Sequence, residues 1–587
     1  GATLFDPGYA ANPLVFCGTV GLAPRDRHPA APQPGDLIVV AGGRAGRDGI
    51  HGATFSSTVI DADDAPALGS VVQIGDPIVE KRLADALPRL RDERLYTAVT
   101  DCGAGGLSSA VGEMARELGA EVDLARVPLK YPGLRPWEIW LSEAQERLVF
   151  AIPPHSWSRA QEIFAAEGVE ATAIGAFTGD GQLRVRAGET VVAELDGAFL
   201  HDGMPTRTLE SVWAPPAGGP PPSLDLRSDL TPWLLRALAE PNVASKEAIV
   251  RQYDHEVQGR TVGKPFVGPA DLGPADAAVL RPLARSRRGV AIGCGVNPWY
   301  GERDPYAMAM LAVDEALRNV TAVGADPDRT ALLDNFCWGD PNRPDRLGGL
   351  VRAARGCHDA AVGYRAPFIS GKDSLFNEYR APDGTSHAIP GTLLVSAVGI
   401  VPDVGRIVST HLREPGNLLY LVGRTADELG GSLLLRLRGE RGGVVPQVEP
   451  KRARPILRAL HRTIRAGLVQ ACHDLSEGGL AVAAAEMAIA GGRGAAIDLG
   501  AVPSAERGLP AASLLFAESA TRFLVEVRPD DAAAFERRLG HTPRGRVGRV
   551  TDETRLLLRD DDRIAIDAEI AALQRAWRTP LGAEETR

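Results

Sequence analysis

Residues 101–115, DCGAGGLSSAVGEMA, and residues 474–488, DLSEGGLAVAAAEMA, are identical at eight of fifteen positions at an offset of 373. Such self-similarity marks an internal duplication, and a missed repeat misassigns a whole fold. Two further pairs extend it. LSEAQERLVF at 141–150 aligns with FAESATRFLV from Phe516 at an offset of 375, with Glu143 and Arg147 matched by Glu518 and Arg522. PGDLIVVAGGRAGRDGIHGA from Pro34 aligns with PGNLLYLVGRTADELGGSLL from Pro415 at an offset of 381. The close offsets describe one duplicated domain of about 170 residues, a period far too long for a solenoid.

The second copy is preceded by a unit of its own, near 247–404, that ends in the strand-like PGTLLVSAVGIV. The first copy is preceded by only about 30 residues, and these resemble the end of that same unit, with Leu4 and Phe5 matching Leu375 and Phe376. The repeat logic therefore predicts about 120 to 140 further residues in front, and the chain begins with Gly1. Between the halves, APPAGGPPPS at 214–223 can propagate neither helix nor sheet and reads as a linker.

The 587 residues suggest roughly four domains. Lys plus Arg is 65 and Asp plus Glu is 75, a net charge of −10 that leaves no electrostatic footprint for nucleic acid or an anionic membrane. Gly 65 and Pro 44 point to many tight turns and Gly-rich loops. The six cysteines form no CxxC pair, so neither a zinc site nor a disulfide framework is indicated and a cytoplasmic protein is expected. No apolar run is long enough for a membrane span. Val/Ile-rich runs such as DLIVVAGG and RLVFAIPP read as strands, and 106–118, 306–323 and 480–490 as helices. The fold class is α/β (α+β), sheets covered by helices; GGRAGRDG is not a Rossmann fingerprint.

Five segments offer chemistry. GGRAGRDGIHG at 42–52 could cradle phosphate through backbone N–H groups, Arg47 and His51, or could be a tight turn with an Arg–Asp pair. VQIGDP at 72–77 presents Gln73, with Asp76 readable as a helix cap. Asp101 before Gly103, Gly105 and Gly106 suits magnesium–phosphate or a cap. SEAQER at 142–147 alternates Glu143, Gln145 and Arg147 on what would be one strand face. The middle unit carries QYDH, NPWY, AVDEALRN, DNFCWGDP and GKDSLFNE; its Lys372 is not part of a Walker A loop but could meet phosphate.

In this order, GRDGIHGA, VQIGDP, DCGAGGLSSA, PWEIWLSEAQER, QYDHEV, AVDEALRN, VGADP, DNFCWGDP, SGKDSLFNE, HDLSEGGLAVAAAEMA and FAESATRFLVEV resemble the synthetase subunit of phosphoribosylformylglycinamidine synthase over nearly the whole chain. The resemblance implies an internally duplicated aminoimidazole-ribonucleotide-synthetase-like fold, each half an N-terminal barrel-forming domain plus a C-terminal α/β domain. The expected boundaries are 1–30 (remnant of the first N-type domain), 31–213 (first C-type), 214–245 (linker), 246–405 (second N-type) and 406–580 (second C-type). It implies an ATP- and magnesium-dependent ligase of purine biosynthesis that converts formylglycinamide ribonucleotide to the amidine through an iminophosphate. Ammonia would come from a glutamine amidotransferase subunit or domain, with a small bridging subunit as a further partner.

Carried over residue by residue, the resemblance implies substrate contacts at Gln73, Glu143, Ala144, Gln145 and Ser374, ATP contacts at Asp334 and Gly371, and a magnesium ligand at Asp101. Arg47, His51 and Lys372 are phosphate candidates. Two positions depart from the family pattern: Ala144 replaces a Ser, and Lys372 replaces a metal-ligating Asn that an ammonium cannot mimic. The catalytic His is expected in the missing front, so the fragment is expected to be catalytically incomplete. The alternatives are a nucleotide-binding scaffold half that docks the amidotransferase, or a related ATP-using synthetase or kinase of the superfamily. At an offset of 381 the second copy replaces Arg47, Asp48 and His51 by Glu428, Leu429 and Ser432, which suggests one productive site.

Overall fold

Two compact units emerge in the computed structural model: Cys17–Leu209 with Asn377–His387, and Gly1–Phe16 with Glu210–Phe376 and Ala388–Arg587. The described residues are 2–10, 12–27, 29–55, 57–61, 71–216 and 229–581. Most of APPAGGPPPS lies outside them. Past it, inside the stretch read as linker, Thr231–Leu238 form a helix whose Leu234, Ala237 and Leu238 are buried in an apolar core with Ile570, Leu573 and Trp577.

The first of these units is built on a seven-stranded sheet. Its strands are Leu37–Gly42 (β1), Ala98–Cys102 (β2), Ala120–Asp123 (β3), Ala144–Ile152 (β4), Ala171–Phe177 (β5), Gln182–Ala187 (β6) and Thr190–Asp196 (β7), in the order β2-β4-β1-β5-β3-β6-β7. β1 is apolar throughout and buried on both faces, which suits a central strand. Pro77–Asp92 (α1) and Gly106–Met114 (α2) bury their apolar faces in the cores on either side of it. The hairpin at 377–387 joins this unit, Tyr379 and Arg380 pairing in parallel with Ile60 and Asp61.

The other unit contains two large sheets, besides a two-stranded pair of Phe266–Val267 with Gly273–Pro274. Thr261–Gly263 (β8), Ala278–Leu280 (β9), Gly289–Gly295 (β10), Thr330–Cys337 (β11), Phe368–Ser374 (β12) and Thr392–Val401 (β13) lie in the order β12-β11-β13-β10-β9-β8, with β11 and β12 parallel and β12 at the edge. Pro305–Ala322 (α3), buried along almost its whole length, packs on β10, β13 and Pro344–Tyr364 (α4).

The second sheet repeats the seven-stranded one. Leu418–Val422 (β14), Ala471–Asp474 (β15), Gly494–Asp498 (β16), Phe523–Val527 (β17), Arg544–Thr551 (β18), Arg555–Asp560 (β19) and Arg563–Glu569 (β20) run in the order β15-β17-β14-β18-β16-β19-β20, the same permutation as β1–β7. Even the irregularity repeats: β1 slips register between Ile38 and Val39, and β14 between Leu419 and Tyr420. Pro450–Arg465 (α5) and Gly479–Gly491 (α6) correspond to α1 and α2. The duplication is therefore one of topology as well as of sequence, and the fold is the expected α/β arrangement.

Among the described residues no helix is long and apolar enough to cross a membrane.

Candidate functional site

In the unit containing β1–β7, four loops gather where β1 and β2 end and β4 begins. α2 opens with Gly105 (φ 76°) and Gly106 (φ 58°); a Cβ at Gly106 would strike the Ser142 carbonyl, so glycine lets the helix start against the approach to β4. Glu143 Oε1 accepts the N–H of Gly105 at 3.2 Å and of Ala53 at 3.3 Å, tying that helix start to the loop after β1. Arg147, fully buried, donates to the Ser142 carbonyl. Gln73 Oε1 accepts the N–H of Gln145 at 3.1 Å, which brings the two expected substrate glutamines together.

The single polar stripe expected for Glu143, Gln145 and Arg147 does not form. β4 pairs Asp101 with Leu148 but Cys102 with Ala144, so residues 145–147 bulge from the ladder with β2 while Arg147 stays paired with Gly42 of β1, Gln145 facing solvent and Arg147 the interior. Ala144 is buried opposite Cys102. Asp76 caps α1 by accepting the Val79 N–H at 3.4 Å. Asp101 is exposed; one of its oxygens accepts the Gly103 N–H at 2.7 Å.

The Gly-rich turn also differs from its sequence reading. Arg47 pairs with Glu138 at 2.9 Å, not with Asp48, and donates to the Gly133 carbonyl. Asp48 pairs with Lys130 at 2.7 Å and accepts the Ile74 N–H at 3.2 Å. Burial opposes its ionisation, but these two donors hold its carboxyl below the usual range. His51 is exposed in left-handed backbone (φ 66°) and stacks on Trp137, with ring centroids 6.4 Å apart.

The other unit holds the remaining expected residues. Asp334 on β11 lies in parallel register with Gly371 on β12, and a Cβ at Gly371 would collide with the Asp334 carboxylate. Burial raises the Asp334 carboxyl. Lys372 is exposed on the edge strand and donates to the Asp373 carbonyl at 3.2 Å. Ser374 ends β12, buried, and its carbonyl accepts the Trp338 N–H at 2.9 Å.

In the second copy the alignment shifts by one residue. Isolated bridges join Ala45 to Leu129 and Thr425 to Ser504, so through the Gly-rich turn from Ala45 the offset is 380 rather than 381. Asp48 then corresponds to Glu428, which accepts the Gln447 N–H at 2.9 Å as Asp48 accepts that of Ile74. His51 corresponds to Gly431 (φ 79°), which shares its left-handed backbone, and Arg47 to Asp427. The acid is thus retained, a correction to the pairing read from sequence. The glutamines are lost: Pro446 stands for Gln73 and Ala520 for Gln145.

Sequence spacing missed a buried polar cluster in this unit. His473 is hydrogen-bonded through Nδ1 to Asp276 at 2.6 Å and through Nε2 to Glu486 at 3.0 Å. Burial alone would lower the His473 pKa, but Asp276 and Glu486 hold it well above its usual value. Asp276, His473 and Asp474 lie close enough together to hold a metal ion, with both His473 ring nitrogens already hydrogen-bonded to carboxylates. In the DEALRN motif, Asp314 accepts the Thr521 N–H at 2.9 Å, and Arg318 bridges Asp314 (3.4 Å) and Asp474 (3.3 Å), so much of that motif is structural.

Comparison with known proteins agrees with this architecture. Family models for AIR synthase related proteins match the chain, the C-terminal domain at 33–188 and again at 414–561, and the N-terminal domain at 274–401. The PurL subunit of phosphoribosylformylglycinamidine synthase from Methanopyrus kandleri is 36% identical over 98% of this chain and 78% of its own length. That from Thermoplasma acidophilum is 33% identical over 99% and 75%. Among solved structures, Thermotoga maritima PurL complexed with FGAR superposes with a TM-score of 0.63 at 25% identity, over 89% of this chain and 73% of that one. A Thermotoga maritima structure described as PurLQS shares the fold, with a TM-score of 0.61 over 89% of this chain and 72% of that one at 24% identity. The chain belongs to the family of phosphoribosylformylglycinamidine synthase subunit PurL, ATP-dependent ligases of purine biosynthesis.

Proposed function

We propose that the chain supplies substrate and ATP contacts for the amidation of formylglycinamide ribonucleotide. In that reaction ATP phosphorylates the formamide oxygen, giving an iminophosphate, and ammonia displaces phosphate to leave the amidine, ADP and phosphate. The observation that carries the reading is the hydrogen bond from the Gln145 backbone N–H to Gln73 Oε1, which sets the two glutamines side by side at a place whose counterpart in the second copy has lost both side-chain amides. An amide pair offers donors and acceptors to a polar, uncharged group such as a formamide. Glu143 fixes the loops around that pair, and Ala144, next to Gln145, is buried opposite Cys102. Ser374 is assigned to the same substrate, and Asp334 and Gly371 to ATP, the missing Cβ of Gly371 leaving room beside the carboxylate.

The exposed Asp101 fits magnesium: its turn orients the carboxylate, and the second oxygen has no hydrogen-bond partner among the described residues. Lys372 does not fit as a ligand, and we assign it, with Arg47 and His51, to phosphate. Bound magnesium would neutralise phosphate charge during transfer. Ammonia is expected from a glutamine amidotransferase partner, with a small bridging subunit, in the cytoplasm.

Calorimetry tests the reading directly. The chain should bind magnesium–ATP and formylglycinamide ribonucleotide, with the second lost in Gln73→Ala. Absence of ribonucleotide binding to the unaltered chain would overturn the substrate assignment.

A further inference from the structure

The last hairpin of the duplicated domain has the same register in both copies. β6 pairs with β7 as β19 pairs with β20, Gln182 opposite Asp196 and Arg555 opposite Glu569, at an offset of 373. Both ladders slip at one residue, Val192 in the first copy and Ala565 in the second. Past the strand, the helix Gly197–Asp202 starts where Ile570–Arg578 starts, so Leu200 corresponds to Leu573 and Met204 to Trp577.

In the second copy this edge is covered by the helix Thr231–Leu238. The Leu230 N–H donates to the Ala565 carbonyl at 2.8 Å, and Thr231 Oγ1 accepts the Asp567 N–H at 3.0 Å. Leu234 and Leu238 share its apolar core with Leu573 and Trp577. Beneath that helix Ala565, Leu573 and Trp577 are 1%, 0% and 2% exposed. In the first copy the matching Val192, Leu200 and Met204 are 42%, 42% and 86% exposed. The contrast stops at the border of the covered area: Val191 and Ile564 also correspond, and are 49% and 47% exposed. The Val192 carbonyl and the Glu194 N–H stand where the second copy bonds its helix, and neither has a partner outside the sheet among the described residues.

An edge strand that shows apolar side chains and open backbone groups invites a partner. A further strand fits poorly, because the bulge at Val192 breaks the straight edge that strand addition needs. A helix with a leucine every fourth residue fits, its first-turn hydroxyl and N–H closing the edge as Thr231 and Leu230 do. We propose that this face of the first copy is a docking site for one amphipathic helix of that chemistry. Thr231–Leu238 is already seated on the second copy, so the occupant comes from outside residues 1–587. Nothing in this assignment depends on what the Gln73 site binds.

The probe is a fluorescently labelled peptide of residues 229–245, titrated with the 587-residue chain and read by anisotropy. It should bind with a Kd below about 100 µM, and the same peptide with Leu234→Asp and Leu238→Asp at least about tenfold more weakly. Leu200→Asp in the chain should weaken the unaltered peptide by at least about tenfold with an unchanged melting curve. Met204→Asp, at the more exposed of the two side chains, should weaken it by about threefold or more and keeps the test open if Leu200→Asp perturbs folding. The proposal is overturned if the peptide shows no binding up to about 1 mM, or if both chain variants bind it as tightly as the unaltered chain. It is also overturned if the chain alone is a dimer at about 10 µM that both substitutions dissociate, since a second copy would then be the occupant.

Discussion

Glu143 and Glu518 do the same work in the two copies of the duplicated domain. Glu143 accepts the N–H groups of Gly105 and Ala53, and Glu518 those of Gly478 (2.8 Å) and Leu433 (2.9 Å). The following arginines correspond too, Arg147 donating to the Ser142 carbonyl and Arg522 to that of Ala517. In each copy one carboxylate ties the glycine-led helix to the loop after the first strand. A carboxylate so placed is needed for the fold whether or not a ligand binds, so its recurrence in both copies says nothing by itself about catalysis.

Removing it should therefore loosen the loops before it touches chemistry. Glu143→Ala leaves two backbone N–H groups without their acceptor, and should destabilise the unit by about 2–4 kcal/mol in urea denaturation. Glu143→Gln keeps an acceptor oxygen and should recover about half of that loss. Equal stability of Glu143→Ala and the unaltered chain would show that the carboxylate does not hold these loops.

Gln73 behaves differently because its partner, Gln145, is exposed. Gln73→Ala should weaken formylglycinamide ribonucleotide binding by about tenfold or more while shifting stability by less than about 1 kcal/mol. Magnesium–ATP binding, measured on the same sample, should not change. A parallel loss of both ligands would mean that the substitution disturbs more than the amide pair.

At the Asp334–Gly371 register pair the controlling quantity is space. Gly371→Ala places a methyl against the Asp334 carboxylate and should weaken ATP binding by at least about tenfold. Asp334→Ala in the same chain relieves the collision, so the double variant should be no worse than Asp334→Ala alone. Additive losses would show that the glycine acts through some other contact.

The duplication, the strand runs and the helix starts were legible because they rest on local pattern: apolar runs, Gly-Gly before an amphipathic stretch, Asp before Pro. The polar partners were not. Arg47 finds Glu138, and His473 finds Asp276 across 197 residues, pairings that spacing cannot reveal. The bulge at 145–147 broke the alternation on which the stripe reading of Glu143, Gln145 and Arg147 relied, since one irregular register sends neighbouring side chains to opposite environments. A one-residue slip near Ala45 likewise hid the match of Asp48 with Glu428, which only the two isolated bridges expose.

The buried carboxylate of the second copy yields a pH prediction. Burial pushes the Glu518 carboxyl from 4.5 up to about 7, with Glu477 nearby adding to the rise and Tyr300 opposing it. An acid whose folded pKa lies above its unfolded value binds more protons when folded, so its contribution is fully present below about pH 4.5 and is lost as pH rises through about 7. Glu518→Gln keeps an acceptor for Gly478 and Leu433 but cannot titrate. Its stability relative to the unaltered chain should therefore improve between pH 4.5 and pH 7.5, by up to about 3 kcal/mol for a shift of this size. Denaturation at a series of pH values reads this difference, in which titrating groups that do not interact with Glu518 cancel. A flat difference would mean that Glu518 stays ionised, its charge balanced by the N–H groups of Gly478 and Leu433 and by the buried Arg522 behind it.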